Sequence, residues 1–194
     1  MKIALFGGSF NPIHKGHLKI ANELLDKKVV DEVWFIPCGN HAFGKELASG
    51  KDRWNMLNLA TRGNPKLKVI DLEIKSRRKS FSANTIRLLR RKFNYNFYFV
   101  IGADNLRDLE KWHDFEYLKE NVEFILIKRA GFELTNNPGI RIIHTLEMEN
   151  PISSTKIRVL LSNCDSIKNL VSKNVEEYIK QEELYHAKSL SKSC

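Results

Sequence analysis

The sequence has no long apolar stretch and only three cysteines. No apolar run approaches the roughly 20 residues that a helix needs to cross a bilayer. The chain enters a strand-like pattern directly after Lys2, so we expect neither a membrane span nor a signal peptide. Cys38, Cys164 and Cys194 are widely spaced and form no Cys-x-x-Cys pair. This pattern predicts neither a zinc site nor a disulfide framework, and it favours a reducing, cytoplasmic compartment.

Acidic residues are fewer than basic ones, and the formal net charge is +9. A basic chain attracts partners that carry phosphate, such as nucleotides, nucleic acids or anionic membranes. Two basic clusters stand out, at residues 75–80 and 87–93. Most charge runs are simply the solvated face of a loop or helix, and this interpretation is favoured for both clusters. A phosphate-facing role is the alternative.

Short apolar runs alternate with amphipathic helical patterns along most of the chain. These runs predict strands at residues 2–6, 32–37, 68–71, 96–102, 122–127 and 140–144. In the helices between them we expect Trp54 and Leu57, and later Ile86, Leu89 and Phe93, to face the core. After residue 150 two helices follow without a strand between them. The pattern predicts an α/β fold with a parallel sheet and helices on both faces.

The domain organisation is expected to be simple. No repeat or low-complexity linker interrupts the sequence. We therefore predict one domain over residues 1–186, whose part from about 150 to 186 is helical, and a disordered tail over 187–194.

The segment GGSFNPIHKGH, directly after the first strand, is the most informative in the sequence. Ligands of parallel α/β sheets bind at the carboxyl ends of the strands, where helix N-termini attract anions. Gly7 and Gly8 allow the backbone to approach a ligand closely, and Asn11-Pro12 turns the chain. No Gly-Lys-Ser/Thr follows, so the segment is not a Walker motif, and it lacks the third-glycine spacing of a dinucleotide fingerprint.

Two histidines stand at the start of the helix that follows this turn. His14 and His17 are three residues apart and therefore lie on roughly one face of the helix. Imidazoles aimed at one place can donate hydrogen bonds to phosphate oxygens and stabilise the charge that develops as a phosphoanhydride breaks. Gly16, between them, leaves room for a flat group such as a nucleobase. A pair that merely caps the helix is the alternative, and a metal site is disfavoured because a third ligand is missing.

Several segments together resemble one enzyme family. GGSFNPIHKGH is similar to the HxGH signature of the nucleotidyltransferase superfamily, and ISSTKIR at 152–158 resembles the second signature of adenylyltransferases that make dinucleotide cofactors. Further family segments are matched, in chain order, by KDRWNML, SFSANTI, IGADNLRDLEKWHDFEYL and VEEYIKQEELY. The matches extend from residue 2 to about 185. The chain thus resembles the bacterial nicotinate mononucleotide adenylyltransferases, which have a Rossmann-like fold of the nucleotidyltransferase type.

The resemblance implies a reaction and its site residues. The family transfers the adenylyl group of ATP to nicotinate mononucleotide and releases pyrophosphate, with Mg²⁺ bound together with ATP and no metal site built by the protein. ATP and the mononucleotide are the expected partners, without nucleic acid or membrane. The implied catalytic residues are His14, His17 and Arg158. The implied ATP contacts are Gly7, Gly8, Ser9, Phe10, Gly16, Gly102, Asp104, Ser153, Ser154 and Thr155, and the implied mononucleotide contacts are Asn11, Lys45, Thr85 and Trp112.

The sequence departs from the family pattern on the mononucleotide side. The stretch Pro37 to Leu47 replaces the usual Pro-Pro-His-Lys, Phe81 replaces a tyrosine, and Asn84 stands where an aspartate is common. These changes leave open an enzyme that accepts nicotinamide mononucleotide, or both mononucleotides. A different small nucleotidyltransferase, an inactive relative and, in another functional class, a basic RNA-binding module are also compatible with parts of the pattern. The sequence gives no indication of oligomeric state.

Overall fold

The computed structural model describes residues 1–39, 47–76, 79–129, 137–149 and 152–185. Two sequence predictions, a substrate contact by Lys45 and a disordered tail at 187–194, lie outside these ranges. The domain bounds stay a prediction. Within the described residues, no helix is both long and apolar enough to cross a membrane.

Strands and helices alternate through the first two thirds of the chain. The strands are β1 (Lys2–Gly8), β2 (Glu32–Pro37), β3 (Leu67–Val69), β4 (Asn96–Gly102), β5 (Glu123–Arg129) and β6 (Arg141–Met148). The helices are α1 (Lys15–Asp26), α2 (Gly50–Thr61), α3 (Ser82–Lys92), α4 (Phe115–Asn121), α5 (Ser154–Ser162) and α6 (Lys173–Gln181), and a 3-10 helix spans Ala103–Lys111. All six predicted strands are confirmed, with β2 and β4 at the predicted bounds.

The strands form one sheet in the order β3-β2-β1-β4-β5-β6. Every neighbouring pair is parallel. The chain runs outward from β1 to β3, then returns to the centre and runs outward on the other side from β4. The order therefore reverses between β1 and β4, and in such sheets the crevice at the carboxyl ends of these strands is where ligands bind. The predicted α/β, Rossmann-like fold is confirmed.

Alternate residues of the central strands enter two different cores. Ala4 and Phe6 of β1 pack with residues of α1, α2, α5 and α6 on one face of the sheet. Ile3 and Leu5 pack on the other face, with residues of α3, α4 and the 3-10 helix. The period of two residues along the strand produces this division. The helices after residue 150 are thus part of the first core rather than a separate layer.

Two helix faces differ from the prediction. Trp54 is 36% exposed, and the buried residues of α2 include Arg53 and Met56 instead. Phe93 is 39% exposed because α3 ends just before it. Leu57 of α2 is buried as predicted, so the burial of Arg53 and Met56 changes the predicted face only at Trp54. Among the cysteines, Cys38 is free, whereas Cys164 is disulfide-bonded, a pairing that the sequence did not predict.

Candidate active site

A cavity of about 620 Å³ opens at the carboxyl ends of β1 and β4. It has two parts. We call the wall formed by Gly7–Ser9, His14, Gly16, His17 and Ile152 the imidazole half. We call the wall formed by Glu73, residues 80–86 and residues 111–113 the aromatic half. Of the residues predicted to bind substrate, the cavity is lined by Gly7, Gly8, Ser9, His14, Gly16, His17, Thr85, Gly102, Asp104 and Trp112.

The two histidines of the imidazole half are stacked on each other. Their ring centroids are 3.6 Å apart, and the ring planes differ by 22°. His14 is the N-cap of α1, and the backbone N–H of each histidine donates to the Nδ1 atom of the other, at 3.3 and 3.4 Å. This is a capping box in which imidazoles take the places usually filled by Ser or Thr and Glu. The pair therefore caps the helix and lines the cavity at once.

The capping bonds also fix the protonation of both rings. An Nδ1 atom that accepts a hydrogen bond carries no proton, so in a neutral ring the proton is on Nε2. Burial lowers the pKa of His14 to about 4. Burial and the neighbouring His14 lower the pKa of His17 well below its usual value. Both rings are consequently neutral at pH 7, and each has an Nε2–H group that is not used by the cap.

The residues beside the histidines hold the two rings in place. Phe10 is buried, with a backbone φ of 46°, and its ring centroid lies 5.1 Å from that of His17 in an edge-on contact. A Cβ atom on Gly16 would lie 3.1 Å from Nδ1 of His14 and 3.5 Å from Cβ of Ile152. The absence of a side chain at Gly16 therefore makes room for the His14 ring, in addition to any room it leaves for a ligand.

Helix α5 is attached to the opening turn by side chains. Ser154 donates its hydroxyl to the carbonyl oxygen of Pro12 at 2.9 Å. Arg158 donates from Nη1 to the carbonyl oxygen of Asn11 at 2.9 Å and from Nη2 to Oγ1 of Thr155 at 3.3 Å. The two segments that carry the family resemblance, more than 140 residues apart in sequence, thus meet at one edge of the cavity. Arg158 and the residues 153–155 stand beside the cavity wall rather than in it.

Asn11 is used inside the protein. It is only 3% exposed. Its Oδ1 atom accepts hydrogen bonds from the backbone N–H of Ala48 at 3.0 Å and from the Tyr185 hydroxyl at 2.8 Å. The sequence suggested a contact between Asn11 and the mononucleotide, but in this conformation the side chain connects the turn to two distant segments. Phe10 is likewise a core residue rather than part of the cavity wall.

A buried arginine links the imidazole half to the loop after β2, and that loop is bonded in turn to Ser80 of the aromatic half through the backbone N–H of Gly39. Arg53, 2% exposed, donates to the carbonyl oxygens of Ser9 at 2.9 Å, Cys38 at 2.7 Å and Ala48 at 3.0 Å. Its planar group of five N–H donors suits such a set of carbonyl acceptors. The guanidinium therefore fixes the loop after β1 against the loop after β2. The sequence contained the signal, because Arg53 lies in a segment that resembles the family, but the residue was not assigned to the site.

The aromatic half is built from rings that belong to separate segments. The ring of Trp112 meets Phe99 edge-on, with centroids 6.2 Å apart. The rings of Phe81 and His113 are stacked, with centroids 4.3 Å apart. Phe81, Trp112 and His113 all line the cavity. Flat aromatic surfaces of this kind suit a ring-shaped ligand.

Thr85 and Glu73 form a hydrogen-bonded pair in the aromatic half. Thr85 is 9% exposed, and its hydroxyl donates to Oε1 of Glu73 at 2.6 Å. Burial raises the pKa of Glu73, while the hydroxyls of Thr85 and Ser80 stabilise its charged form. Glu73 was not among the residues suggested by the sequence, because a glutamate in a polar loop carries no local signal.

The described carboxylates do not form a metal cage. No group of three or more His, Cys, Asp or Glu side chains within the described ranges is placed to hold a metal ion.

Comparison with known proteins places this geometry in a family. Residues 5–160 match the family described as cytidylyltransferase-like. The chain is 37% identical to a probable nicotinate-nucleotide adenylyltransferase of Geobacillus kaustophilus, over 97% of this chain and 88% of the relative. It is 33% identical to the nicotinate-nucleotide adenylyltransferase of Bacillus subtilis, over 96% of this chain and 99% of the relative.

Solved structures show the same fold. The nicotinic acid mononucleotide adenylyltransferase of Plasmodium falciparum, complexed with APC, superposes with a TM-score of 0.77 at 25% identity, over 95% of this chain and 96% of that one. The same enzyme complexed with NaAD gives a TM-score of 0.78 at 24% identity, over 95% and 97% of the two chains.

Proposed function

The chain belongs to the cytidylyltransferase-like family, among its nicotinate-nucleotide adenylyltransferases, and on this premise we propose how its cavity works. The enzyme transfers the adenylyl group of ATP to nicotinate mononucleotide and forms deamido-NAD and pyrophosphate. The reaction is a step of NAD biosynthesis. We place ATP in the imidazole half of the cavity and the mononucleotide in the aromatic half, and we infer that the protein acts in the cytoplasm.

The reaction needs no nucleophile from the protein. The phosphate of the mononucleotide attacks the α-phosphorus of ATP, the bond to the β-phosphate oxygen breaks, and pyrophosphate leaves with the electron pair of that bond. The protein's contribution is then to position two anions and to stabilise the charge that develops between them. A magnesium ion bound to the nucleotide's phosphate oxygens and water would supply positive charge to the triphosphate, while this chain's own residues position the two substrates.

The observation that carries this proposal is the stacked, neutral imidazole pair. Each Nε2–H is a donor fixed in advance at the start of a helix, whose N-terminus also favours negative charge. The negative charge of a bound triphosphate opposes the effect of burial and raises the pKa of both rings. Hydrogen bonds from His14 and His17 to the phosphates therefore strengthen as charge accumulates on the leaving group.

Helix α5 supplies the second set of donors. Its N-cap, Ser153, makes no side-chain cap, and the first N–H groups of a helix lack partners within it. Arg158 has five N–H donors, two of which contact Asn11 and Thr155. We infer that the others, together with the start of α5, hold the β- and γ-phosphates and then the departing pyrophosphate.

The mononucleotide would lie between the aromatic residues and the carboxyl end of β4. Trp112 offers an indole face to the cationic pyridine ring, and this cation–π contact stabilises the bound ring. Asp104, which lines the cavity just after β4, is suited to accept hydrogen bonds from the ribose hydroxyls of ATP beside it.

The test is adenylyl transfer by the purified protein and by its His17→Ala variant. With ATP, Mg²⁺ and nicotinate mononucleotide, the wild-type protein should form deamido-NAD and pyrophosphate in equal amounts. His17→Ala should lower kcat by about 10²- to 10³-fold, the usual cost of removing one charge-stabilising donor. His144→Ala is the control, because His144 lies on β6 and does not line the cavity. Near-normal turnover by a folded His17→Ala protein would refute the assignment of roles.

A further inference from the structure

The hydroxyl groups beside Glu73 direct their protons toward its carboxylate. Thr85 donates to Oε1 of Glu73 at 2.6 Å. Ser80 also donates to the Glu73 carboxylate, and its own oxygen accepts the backbone N–H of Gly39 at 2.8 Å. Glu73, Ser80 and Thr85 all line the aromatic half of the cavity. The carboxylate therefore takes the proton of each neighbouring hydroxyl.

A threonine hydroxyl has one proton and two lone pairs. Because the proton of Thr85 is directed to Glu73, the Thr85 oxygen can offer only a lone pair to a molecule in the cavity. A carboxylate has only acceptor atoms and makes no hydrogen bond with such an oxygen. A carboxamide has two N–H donors and can donate a hydrogen bond to this oxygen. The negative charge of Glu73 acts in the same direction, since it repels a second carboxylate nearby.

We propose that Glu73 is a specificity-determining residue, which turns the Thr85 hydroxyl into an acceptor and thereby raises the acceptance of nicotinamide mononucleotide relative to nicotinate mononucleotide. The inference rests on the proposed function, since it concerns which mononucleotide receives the adenylyl group. Glu73 acts through Thr85 and through its charge, and it takes no part in the transfer itself. Other donors of the site then favour nicotinate mononucleotide, and Glu73 limits how strongly the enzyme prefers it to nicotinamide mononucleotide.

The experiment compares kcat/KM for the two mononucleotides at saturating Mg-ATP. Glu73→Gln removes the negative charge. The glutamine amide has N–H donors as well as an acceptor oxygen, so it does not require both Thr85 and Ser80 to donate their hydroxyl protons. We expect the acid-to-amide ratio of kcat/KM to rise at least fivefold, while the KM for ATP stays within twofold of the wild-type value. Glu32→Gln is the matched control, because Glu32 lies at the start of β2, bonded to Trp34 and Lys68 and away from the cavity. It should leave the ratio unchanged.

A second variant keeps the test decisive if Glu73→Gln folds poorly. Thr85→Val removes the accepting oxygen but keeps the shape of the side chain. We expect it to lower kcat/KM for the amide at least threefold more than for the acid. A purely structural role of the pair would instead lower both values equally. Thermal melting of each variant establishes that the compared proteins are folded.

The outcomes separate this inference from the proposed function. Transfer to nicotinate mononucleotide with an unchanged or lower ratio in Glu73→Gln, or equal losses in Thr85→Val, would overturn the role of Glu73 and leave the proposed function intact. Failure of the folded wild-type protein to adenylylate either mononucleotide would overturn both.

Discussion

The two halves of the cavity are constructed differently. In the imidazole half, His14 and His17 are joined by hydrogen bonds between residues three positions apart, and the turn before them is held through its carbonyl oxygens. In the aromatic half, Thr85 and Glu73 are joined by side chains from separate segments. The pairing of the two imidazoles depends on the local geometry of one helix start, whereas the turn before it depends on distant side chains. A wall built from the side chains of separate segments changes its chemistry with a single substitution.

The largest effect is expected from a change at Arg53, the residue that links the two halves. Arg53→Met should leave the carbonyl oxygens of Ser9, Cys38 and Ala48 without their buried donor. We expect the free energy of unfolding to fall by about 3 kcal/mol, because each unsatisfied buried acceptor costs roughly 1–3 kcal/mol. Urea unfolding monitored by tryptophan fluorescence measures it.

Substrate dependence adds a second measurement for Arg53. Arg53→Lys keeps the charge but not the planar set of donors, so it should recover only part of the lost stability. Any folded Arg53 variant should have a raised KM for both ATP and the mononucleotide. A change confined to one substrate would mean that the halves are independent and that Arg53 does not couple them.

The next effect is a pH dependence specific to the imidazole half. Burial lowers the pKa of His14 to about 4 from its ordinary value of 6.5, so between these values the unfolded chain binds more protons than the folded one. Stability is then fully present above pH 6.5 and falls as the pH decreases toward 4. From this shift alone, unfolding should cost about 2 kcal/mol less at about pH 4.5 than at about pH 7.

Carboxylates also titrate in this range, so the measurement is a difference between two proteins. Urea unfolding of wild-type protein and of His14→Gln at both pH values isolates the contribution of His14. The loss of stability on acidification should be about 2 kcal/mol smaller in the variant. An equal loss in both proteins would show that the imidazole is protonated without hindrance in the folded state.

The smallest effect is expected at the attachment of the C-terminal segment. Tyr185→Phe removes one hydrogen bond to Asn11 Oδ1, worth about 1 kcal/mol. Because Asn11 lies in the turn before the histidines, kcat should fall a few-fold while the KM for the mononucleotide stays unchanged. Tyr178→Phe, which removes a hydrogen bond to Asp52 away from the cavity, is the control. A raised KM for the mononucleotide alone would place the influence of Tyr185 in the aromatic half.

The sequence predicted the fold and the imidazole half because their signals are local. The apolar runs of β2 and β4 gave these strands their correct bounds. His14, Gly16 and His17 lie within four residues, so the start of one helix determines their arrangement. The contact between α5 and the turn followed only from resemblance, since no pattern within Ser154–Arg158 indicates that Pro12 and Asn11 lie opposite.

In the aromatic half Thr85 and Trp112 were predicted, but the pairing of Thr85 with Glu73 was not, and the reason is physical. The hydroxyl of Thr85 meets Glu73 across a loop, and the direction of a single proton decides what the threonine can recognise. Arg53 escaped because apolar spacing favoured Trp54 as a buried residue of α2, whereas carbonyl oxygens of the two connections that follow β1 and β2 draw the arginine inward. Hydrophobic periodicity carries no information about such polar partners.

The hydrogen bonds that hold the opening turn have a consequence for folding during translation. The partners Ser154, Arg158 and Tyr185 lie 142, 147 and 174 residues downstream of the positions they bind. A ribosome releases the turn long before it releases these residues, and folding during translation proceeds from the N-terminal side. A nascent chain can therefore pair β1 with β2 while its phosphate-binding turn is still unrestrained. The hydrogen bonds that hold this turn can therefore form only after the C-terminal helices have left the ribosome.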